Sequence, residues 1–363
     1  MAYLPKHEGG SNRASFVSFA EREICDKGQF SYELLKSLTK AEINFIIMQK
    51  LWQEQITMNK VYVLGSINCD LVMRSEKLPQ AGETMEGQDF LINSGGKGAN
   101  QAVACSKLGA ETYLIGAVGN DVFGEICLHT LQEYGCSDKF ISKISGVPTG
   151  IASIWVVGGD NRILLEHGAN YRLEKEKVLQ ILKKHCKEGD VLISQFEIKE
   201  EIIEEAFRYA RENGVTTILN PAPVPQRGVN LKILNYTDVI VPNLTEAEGL
   251  CGFSIKTEDD LKRAADMFAQ NGVKETMITL GEEGAYYRGK HGEQKESIIP
   301  LKVVDTTAAG DTTIGALAYR LAAGYTVKES MRFCAAASAI TVSRHGAQQS
   351  IPTLEEINNL LNM

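Results

Sequence analysis

The chain has 363 residues, enough for one large α/β domain or two modest ones, and its 44% hydrophobic and 23% charged residues match ordinary globular proteins. A formal net charge of -8 leaves no basic surplus to neutralise a nucleic-acid backbone, although local amides and cations still suffice for a small anion. No stretch approaches the roughly 18 uninterrupted apolar residues of a membrane span.

The N-terminal MAYLPKHEGGSNRASF has no apolar signal segment, so the cytoplasm is the expected location. The eight cysteines are scattered without a C-x-x-C pair and read as small hydrophobes of a reducing compartment. Residues 1–58 begin polar and turn-rich. Helical spacing follows over 32–56, where Leu34, Leu35, Leu38, Ile43, Ile46, Ile47 and Leu51 are apolar. This segment is too short to bury much core alone and is expected to be an appended helical extension. It contains no basic cluster to support a DNA-binding module. Met58 opens a second plausible start, MNKVYVLGSINCD, so the leader is either an extension or residues upstream of the true beginning.

From residue 59 onward, strand-like and helix-like stretches alternate. Short apolar runs at 61–65, 113–118, 191–196, 216–221, 239–243 and 276–281 read as strands. Between them, helical patterns cover 99–108, 124–134, 174–185, 199–213, 246–251, 258–271 and 327–343. The rhythm predicts βαβ units, a mainly parallel sheet with helices on both faces, and ligands outside the carboxyl ends of the strands. Residues 70–93 and 148–168 break it with strand-like pieces joined by turns, as in a small β lid that excludes water from a transfer site.

The strongest motif is Asp305-Thr306-Thr307-Ala308-Ala309-Gly310-Asp311-Thr312, which runs into the helical pattern TIGALAYRLAAG. A turn of small residues opening into a helix presents free amides to developing negative charge, and a carboxylate there can take the proton of an attacking hydroxyl. Taken alone, Asp311 is as readily an N-cap. Ser94-Gly95-Gly96-Lys97-Gly98-Ala99-Asn100 is a glycine-rich strand-to-helix junction in which Lys97 and Asn100 offer donors to hydroxyls or phosphate. Asn68 and Asp70 share one face of an extended segment after the first strand, suited to neighbouring hydroxyls. Asn243 and Glu246 stand three apart at a strand-to-helix turn, where they fit both a capping box and a hydrated Mg²⁺ beside phosphates. Thr279-Leu280-Gly281-Glu282-Glu283-Gly284 ends another strand in glycines, a seat for a nucleotide.

As an ordered set, GGKGANQA, NPAP (220–223), PNLTEAE and DTTAAGDT resemble the ribokinase/PfkB carbohydrate kinase family over residues 60 to 357. The resemblance implies a three-layer α/β/α sandwich with a β-sheet lid, and ATP-dependent phosphorylation of a ribose-type pentose at its 5-hydroxyl. It implies Asp311 as base, with Ala308, Ala309 and Gly310 forming an anion hole. Asn68, Asp70, Gly95, Gly96, Lys97, Asn100 and Glu197 would contact the sugar. Asn243, Thr279, Leu280, Gly281, Glu282, Gly284 and Gly310 would serve the nucleotide, with Glu246 beside Mg²⁺. A K⁺ activator would sit at Asp305, Thr307, Thr341, Arg344, Gly346 and Ser350, with Arg344 contributing its backbone oxygen. A homodimer through the lid is also implied, in keeping with the apolar run IASIWVV. Thr313 and Ile314 depart from the Phe-Asn pair often found after GDT in the family, which bears on packing near the nucleotide.

Other readings fare worse. Gly284 to Lys290 matches G-x-x-x-x-G-K, but His291 stands at the Ser/Thr position and the surroundings suggest a turn between strands rather than a phosphate loop. No G-x-G-x-x-G follows the first strand, which disfavours a nicotinamide dehydrogenase. A deoxyribokinase, another pentose or nucleoside kinase, or a non-catalytic sugar sensor remain as alternatives.

Overall fold

The structure, a computed structural model, describes residues 58–363 apart from 159, 226 and 227, so the helix expected over 32–56 lies outside the described residues. In chain order the strands are β1 (Val61–Leu64), β2 (Asn68–Ser75), β3 (Gln88–Gly95), β4 (Thr112–Gly119), β5 (Ser137–Ile144), β6 (Gly150–Val157) and β7 (Asp160–Glu166). They continue with β8 (Val191–Gln195), β9 (Thr216–Asn220), β10 (Val239–Ile240), β11 (Glu275–Thr279), β12 (Ala285–Gly289) and β13 (Gly292–Glu296). The helices are α1 (Lys97–Lys107), α2 (Val122–Glu133), α3 (Lys175–His185), α4 (Glu200–Glu212) and α5 (Leu244–Cys251). After them come α6 (Glu258–Gln270), α7 (Ala309–Ala322), α8 (Val327–Val342) and α9 (Leu354–Leu361).

The main sheet has the order β13-β12-β11-β10-β9-β8-β1-β4-β5. Strands from β5 across to β11 pair in parallel, and β12 and β13 continue antiparallel as an edge hairpin. Alternation along each buried strand divides the interior into two cores. Val61, Val63, Val191, Ile193 and Ile218 point to the face covered by α1, α2, α7, α8 and α9. Tyr62, Leu64, Leu192 and Leu219 point to the face covered by α3, α4, α5 and α6. The expected three-layer sandwich is therefore present. Three elements differ from expectation. β5 (SDKFISKI) and β13 (GEQKE) are too polar to stand out as strands, and the run at 239–243 is a strand only at Val239–Ile240. The segment matching G-x-x-x-x-G-K is β12 itself, entering a hairpin rather than a helix.

The lid is a separate sheet of order β3-β2-β6-β7, in which β2 pairs with β6 in parallel while β3 and β7 flank antiparallel. It leaves the body at one point, where Asn68 of β2 pairs with Gly95 of β3 and Gly150 of β6. Phe90, Leu91, Ile92, Trp155, Ile163 and Leu164 stand exposed on it, Leu164 by 74%.

Helix starts are mostly well capped. Capping boxes close α5 (Asn243/Glu246), α6 (Thr257/Asp260), α8 (Thr326/Glu329) and α9 (Thr353/Glu356). α7 has none. It packs closely along α1, and a Cβ on Gly315 would lie 2.3 Å from Ala104 Cβ and 3.1 Å from Cys105 N. Because these neighbours are backbone and Cβ atoms, they cannot swing aside. Gly315→Ala is expected to cost about 1–2 kcal/mol net of the helix propensity it gains. Urea unfolding midpoints of the two proteins measure this, and an unchanged midpoint would mean that the two helices are less tightly apposed.

Candidate active site

The parallel strands end on one rim, where α1 and α7 begin. α1 starts at Gly96, whose φ of 89° lies in the left-handed region, and a Cβ there would come within 2.8 Å of Asn68 N. Its first amides are held from outside the helix. Gly98 N–H donates to Ser66 Oγ (3.2 Å), Ala99 N–H to the Ser66 carbonyl (2.9 Å), and Lys97 N–H to Glu197 Oε2 (3.1 Å). Glu197 thus caps α1 from the loop after β8, a favourable place for a carboxylate. The same oxygen accepts from Ser66 Oγ (2.5 Å) and Asn68 Nδ2 (3.4 Å). Asn170, fully buried, clamps the turn by bonding both the amide and the carbonyl of Ile67, and it also donates to Asn68 Oδ1 (2.8 Å).

Among the described α-helices, α7 alone has an N-cap residue in the left-handed α region. Ala308 at its N-cap has φ 61°, a left-handed conformation that is costly for a residue with a Cβ, and supplies no side-chain cap. The amides of Gly310 and Asp311 have no protein acceptor among the described residues, and nothing lies within 4 Å of where a Gly310 Cβ would be. These are the free donors that an anion needs. The Asp311 side chain is buried, yet it points to the start of α1 rather than capping its own helix. Its Oδ2 accepts from Asn100 Nδ2 (2.9 Å) and its Oδ1 from Gln101 Nε2 (2.9 Å).

Two connected clefts meet at this helix start. The smaller, about 210 Å³, is lined by Lys97, Asn220, Asn243, Glu246, Ala308, Gly310 and Asp311 among others. The larger, about 380 Å³ and mainly apolar, runs over Thr279, Gly281, Glu282 and Gly284 toward Ile298, Leu301, Thr313 and Ala335. Thr313 therefore faces the larger cleft, while Leu280 lines neither and packs against the core. Glu246 and Asn243 are linked in three ways: Asn243 N–H to Glu246 Oε2 (2.8 Å), Asn243 Nδ2 to Glu246 Oε1 (2.9 Å), and Glu246 N–H to Asn243 Oδ1 (2.8 Å). Capping and a place beside the phosphate-sized cleft coexist at this pair.

Charge is concentrated here. Burial works against the Lys97 ammonium, but the carboxylates of Asp311, Glu197 and Glu246 outweigh it and hold its pKa above the ordinary lysine value. Burial of Glu246 raises its pKa, only partly offset by the Asn243 amide. Asp70 is pushed up to about 7, first by burial and then by Glu197 and Asp311.

Behind α7, Asp305 gathers Thr307 N–H (2.9 Å) and Oγ1 (2.6 Å) on one oxygen and Gly346 N–H (3.0 Å) on the other. Desolvation opposes its charge, yet these donors keep it below the usual carboxylate range. Arg344 turns its guanidinium away to Glu356 (2.6 Å), so only its backbone is on offer to the loop. Thr341 and Ser350 are buried, with hydroxyls bonded to Ala337 and Ala347 carbonyls. A monovalent cation held here would draw on the Asp305 carboxylate and on backbone oxygens of the loop. Among the described residues, no group of three or more His, Cys, Asp or Glu forms a denser site.

The motifs thus converge. The fold also recruits Ser66, Gln101, Asn170, Gln195 and Asn220, which the sequence reading did not single out. Asn220 stood within NPAP, and Gln195 lies two residues before Glu197. Seven cysteines among the described residues are free thiols, and no described helix is long and apolar enough to cross a membrane.

The raised Asp70 pKa has a measurable consequence. A carboxyl whose folded pKa exceeds its unfolded value contributes stability at low pH that is lost as pH rises through the folded value. Asp70→Asn, which does not titrate, is expected to gain about 1–2 kcal/mol on wild type between pH 4 and pH 8, allowing for solvent screening of a half-buried group. Denaturation series at the two pH values test it, and a constant difference would contradict the buried-carboxyl account.

Residues 58–354 match the family model for pfkB family carbohydrate kinases. The chain is 40% identical over 318 residues to a ribokinase of Schizosaccharomyces pombe, covering 84% of this chain and 99% of that protein. It is 38% identical over 305 residues to a ribokinase of Staphylococcus aureus, covering 83% and 99%. The solved structure of Arabidopsis thaliana ribokinase complexed with ribose and ATP superposes with a TM-score of 0.77 at 30% identity, over 85% of this chain and 100% of that one. The chain belongs to the pfkB family of carbohydrate kinases.

Proposed function

We propose that residues 59–363 form a kinase that transfers the γ-phosphoryl group of ATP to the 5-hydroxyl of D-ribose, giving ribose 5-phosphate and ADP. The observation that carries this reading is the buried Asp311 carboxylate at the open start of α7, tied to Asn100 on one side and facing the phosphate-sized cleft on the other. Each Asp311 oxygen has one donor, which leaves lone pairs for a hydroxyl proton. As the sugar oxygen bonds to the γ-phosphorus, its proton passes to Asp311 and the bond to the ADP oxygen breaks. The free amides of Gly310 and Asp311, with Lys97, face the charge on the moving group. Asn68, Asp70, Gly95, Gly96, Lys97, Asn100 and Glu197 orient the sugar. Glu197 Oε1, which accepts from no described protein group, is free for a hydroxyl. Asn243, Thr279, Gly281, Glu282 and Gly284 seat the nucleotide, its base in the apolar cleft.

Glu246 and Asn243 are the groups suited to hold Mg²⁺ through water, since their direct valences are partly spent on each other. When bound, the ion neutralises phosphate charge. The loop of Asp305, Thr307, Thr341, Arg344, Gly346 and Ser350 fits K⁺, which would stiffen the turn leading into α7. The chain pairs as a homodimer through the exposed apolar side chains of the lid.

Three results are expected. In a coupled ADP-release assay over ribose, 2-deoxyribose, fructose and nucleosides, ribose gives the highest kcat/KM, and K⁺ raises its kcat. A preference for deoxyribose or a nucleoside would move the chain to that branch. Asp311→Asn loses roughly 10²–10⁴-fold in kcat while calorimetric sugar affinity stays within a few fold; a variant as active as wild type would leave a sensor as the better account. Leu164→Lys converts a dimer to a monomer in light scattering, and a wild type already monomeric would end the dimer reading.

A further inference from the structure

Asp311 is held from two sides by carboxamides that differ in kind. Neither lines the two clefts described above; Asn100, which keeps slight exposure, is grouped with the proposed sugar-side residues, whereas Gln101 is fully buried. All of Gln101's hydrogen-bonding capacity except one acceptor lone pair is engaged. Its Nε2 donates to Asp311 Oδ1 (2.9 Å) and to Asn220 Oδ1 (3.1 Å), and its Oε1 accepts from Gln195 Nε2 (2.6 Å). Asn220 in turn donates to the Val241 carbonyl (3.1 Å). Gln195 ends β8, Asn220 ends β9 and Val241 follows β10, so the chain of amides ties the carboxylate on α7 to three adjacent strand ends. Its direction is fixed by chemistry. An ionised carboxylate only accepts, so Gln101 must present its NH₂ to Asp311 and its oxygen to Gln195. Gly65 makes room for this, since a Cβ there would lie 2.2 Å from Gln195 Oε1.

We propose that Gln101 is a positioning residue for the transfer reaction: anchored by Gln195 and Asn220, it fixes the rotamer of Asp311 so that the free lone pairs face the attacking hydroxyl. The proposal rests on the kinase reading given above. Gln101 touches neither sugar nor nucleotide, so its contribution falls on turnover and not on binding. Removing its donor leaves a charged acceptor half-held inside the protein and lets the carboxylate turn, and a misaligned base costs rate steeply.

The test compares wild type, Gln101→Met, Gln195→Met, Asn100→Ala and Asp311→Asn, with thermal midpoints recorded for each. Gln101→Met keeps the volume and is expected to lower kcat roughly 10- to 100-fold, the worth of one hydrogen bond to a charged group, with ribose KM within twofold of wild type. Gln195→Met, which spares the direct contact, is expected to lower kcat about three- to tenfold with the same unchanged KM, and it decides the matter if Gln101→Met does not fold. Asn100→Ala removes a proposed sugar contact as well as a donor to Asp311 and is expected to raise KM in addition to lowering kcat. A folded glutamine variant with wild-type kcat, or one whose defect lies in KM alone, overturns the proposal while Asp311→Asn remains inactive and the kinase reading stands. A wild type inactive on every sugar overturns both.

Discussion

The site depends on a helix that begins without a cap. Two other helix starts at the site are satisfied by neighbouring groups: α5 by Asn243 and Glu246, α1 by Ser66 and Glu197. At α7 the N-cap is Ala308, which has no side-chain acceptor and holds a left-handed turn that aims the first amides outward, while Asp311 in the first turn is engaged by Asn100 and Gln101. An aspartate at a helix N-terminus is ordinarily stabilising through its own amides. Here that stabilisation is forgone, which leaves the positive end of the helix dipole for an external anion.

Around that opening, three carboxylates act on one half-buried lysine. Asp311, Glu197 and Glu246 keep Lys97 charged despite its burial, and Lys97 in turn offsets repulsion among them. Burial, Glu197 and Asp311 together push the Asp70 carboxyl up to about 7. The cluster is acidic on the side of Asp70 and Glu197, whereas the free amides at the start of α7 face the smaller cleft. One site therefore presents opposite polarities on its two sides.

Much of this was legible from local pattern. Gly96, Lys97, Asn100, Asn243, Glu246 and Asp311 sit at strand-to-helix junctions whose small residues stand out in any reading of the chain, and the two-faced sheet follows from its apolar alternation. The polar strands β5 and β13 were not, because they lie at sheet edges where few apolar side chains are demanded. Nor were the supports of Asp311. Gln101, Gln195 and Asn220 come from three separate segments and meet only because β8 and β9 are neighbours beneath α1, a fact of strand order that no local spacing carries. Asn170 and Ser66 were missed for the same reason: their meaning lies in the turn they brace, over 100 residues away for Asn170.

The lid has a mechanical consequence. Its strands are not hung from a linker; β2, β3 and β6 leave the body at Asn68, Gly95 and Gly150, side by side beneath the bound sugar's expected position. Gly95 lies against Asp70 and Gly150 against Asn68 and Asn170, so side chains wedge the joint itself. The pocket floor is then the fulcrum of the lever above it. Any swing of that sheet must shift Asn68, Asp70 and Gly95, and on the proposed reading a molecule too large or too small for the floor would hold the lever at the wrong angle.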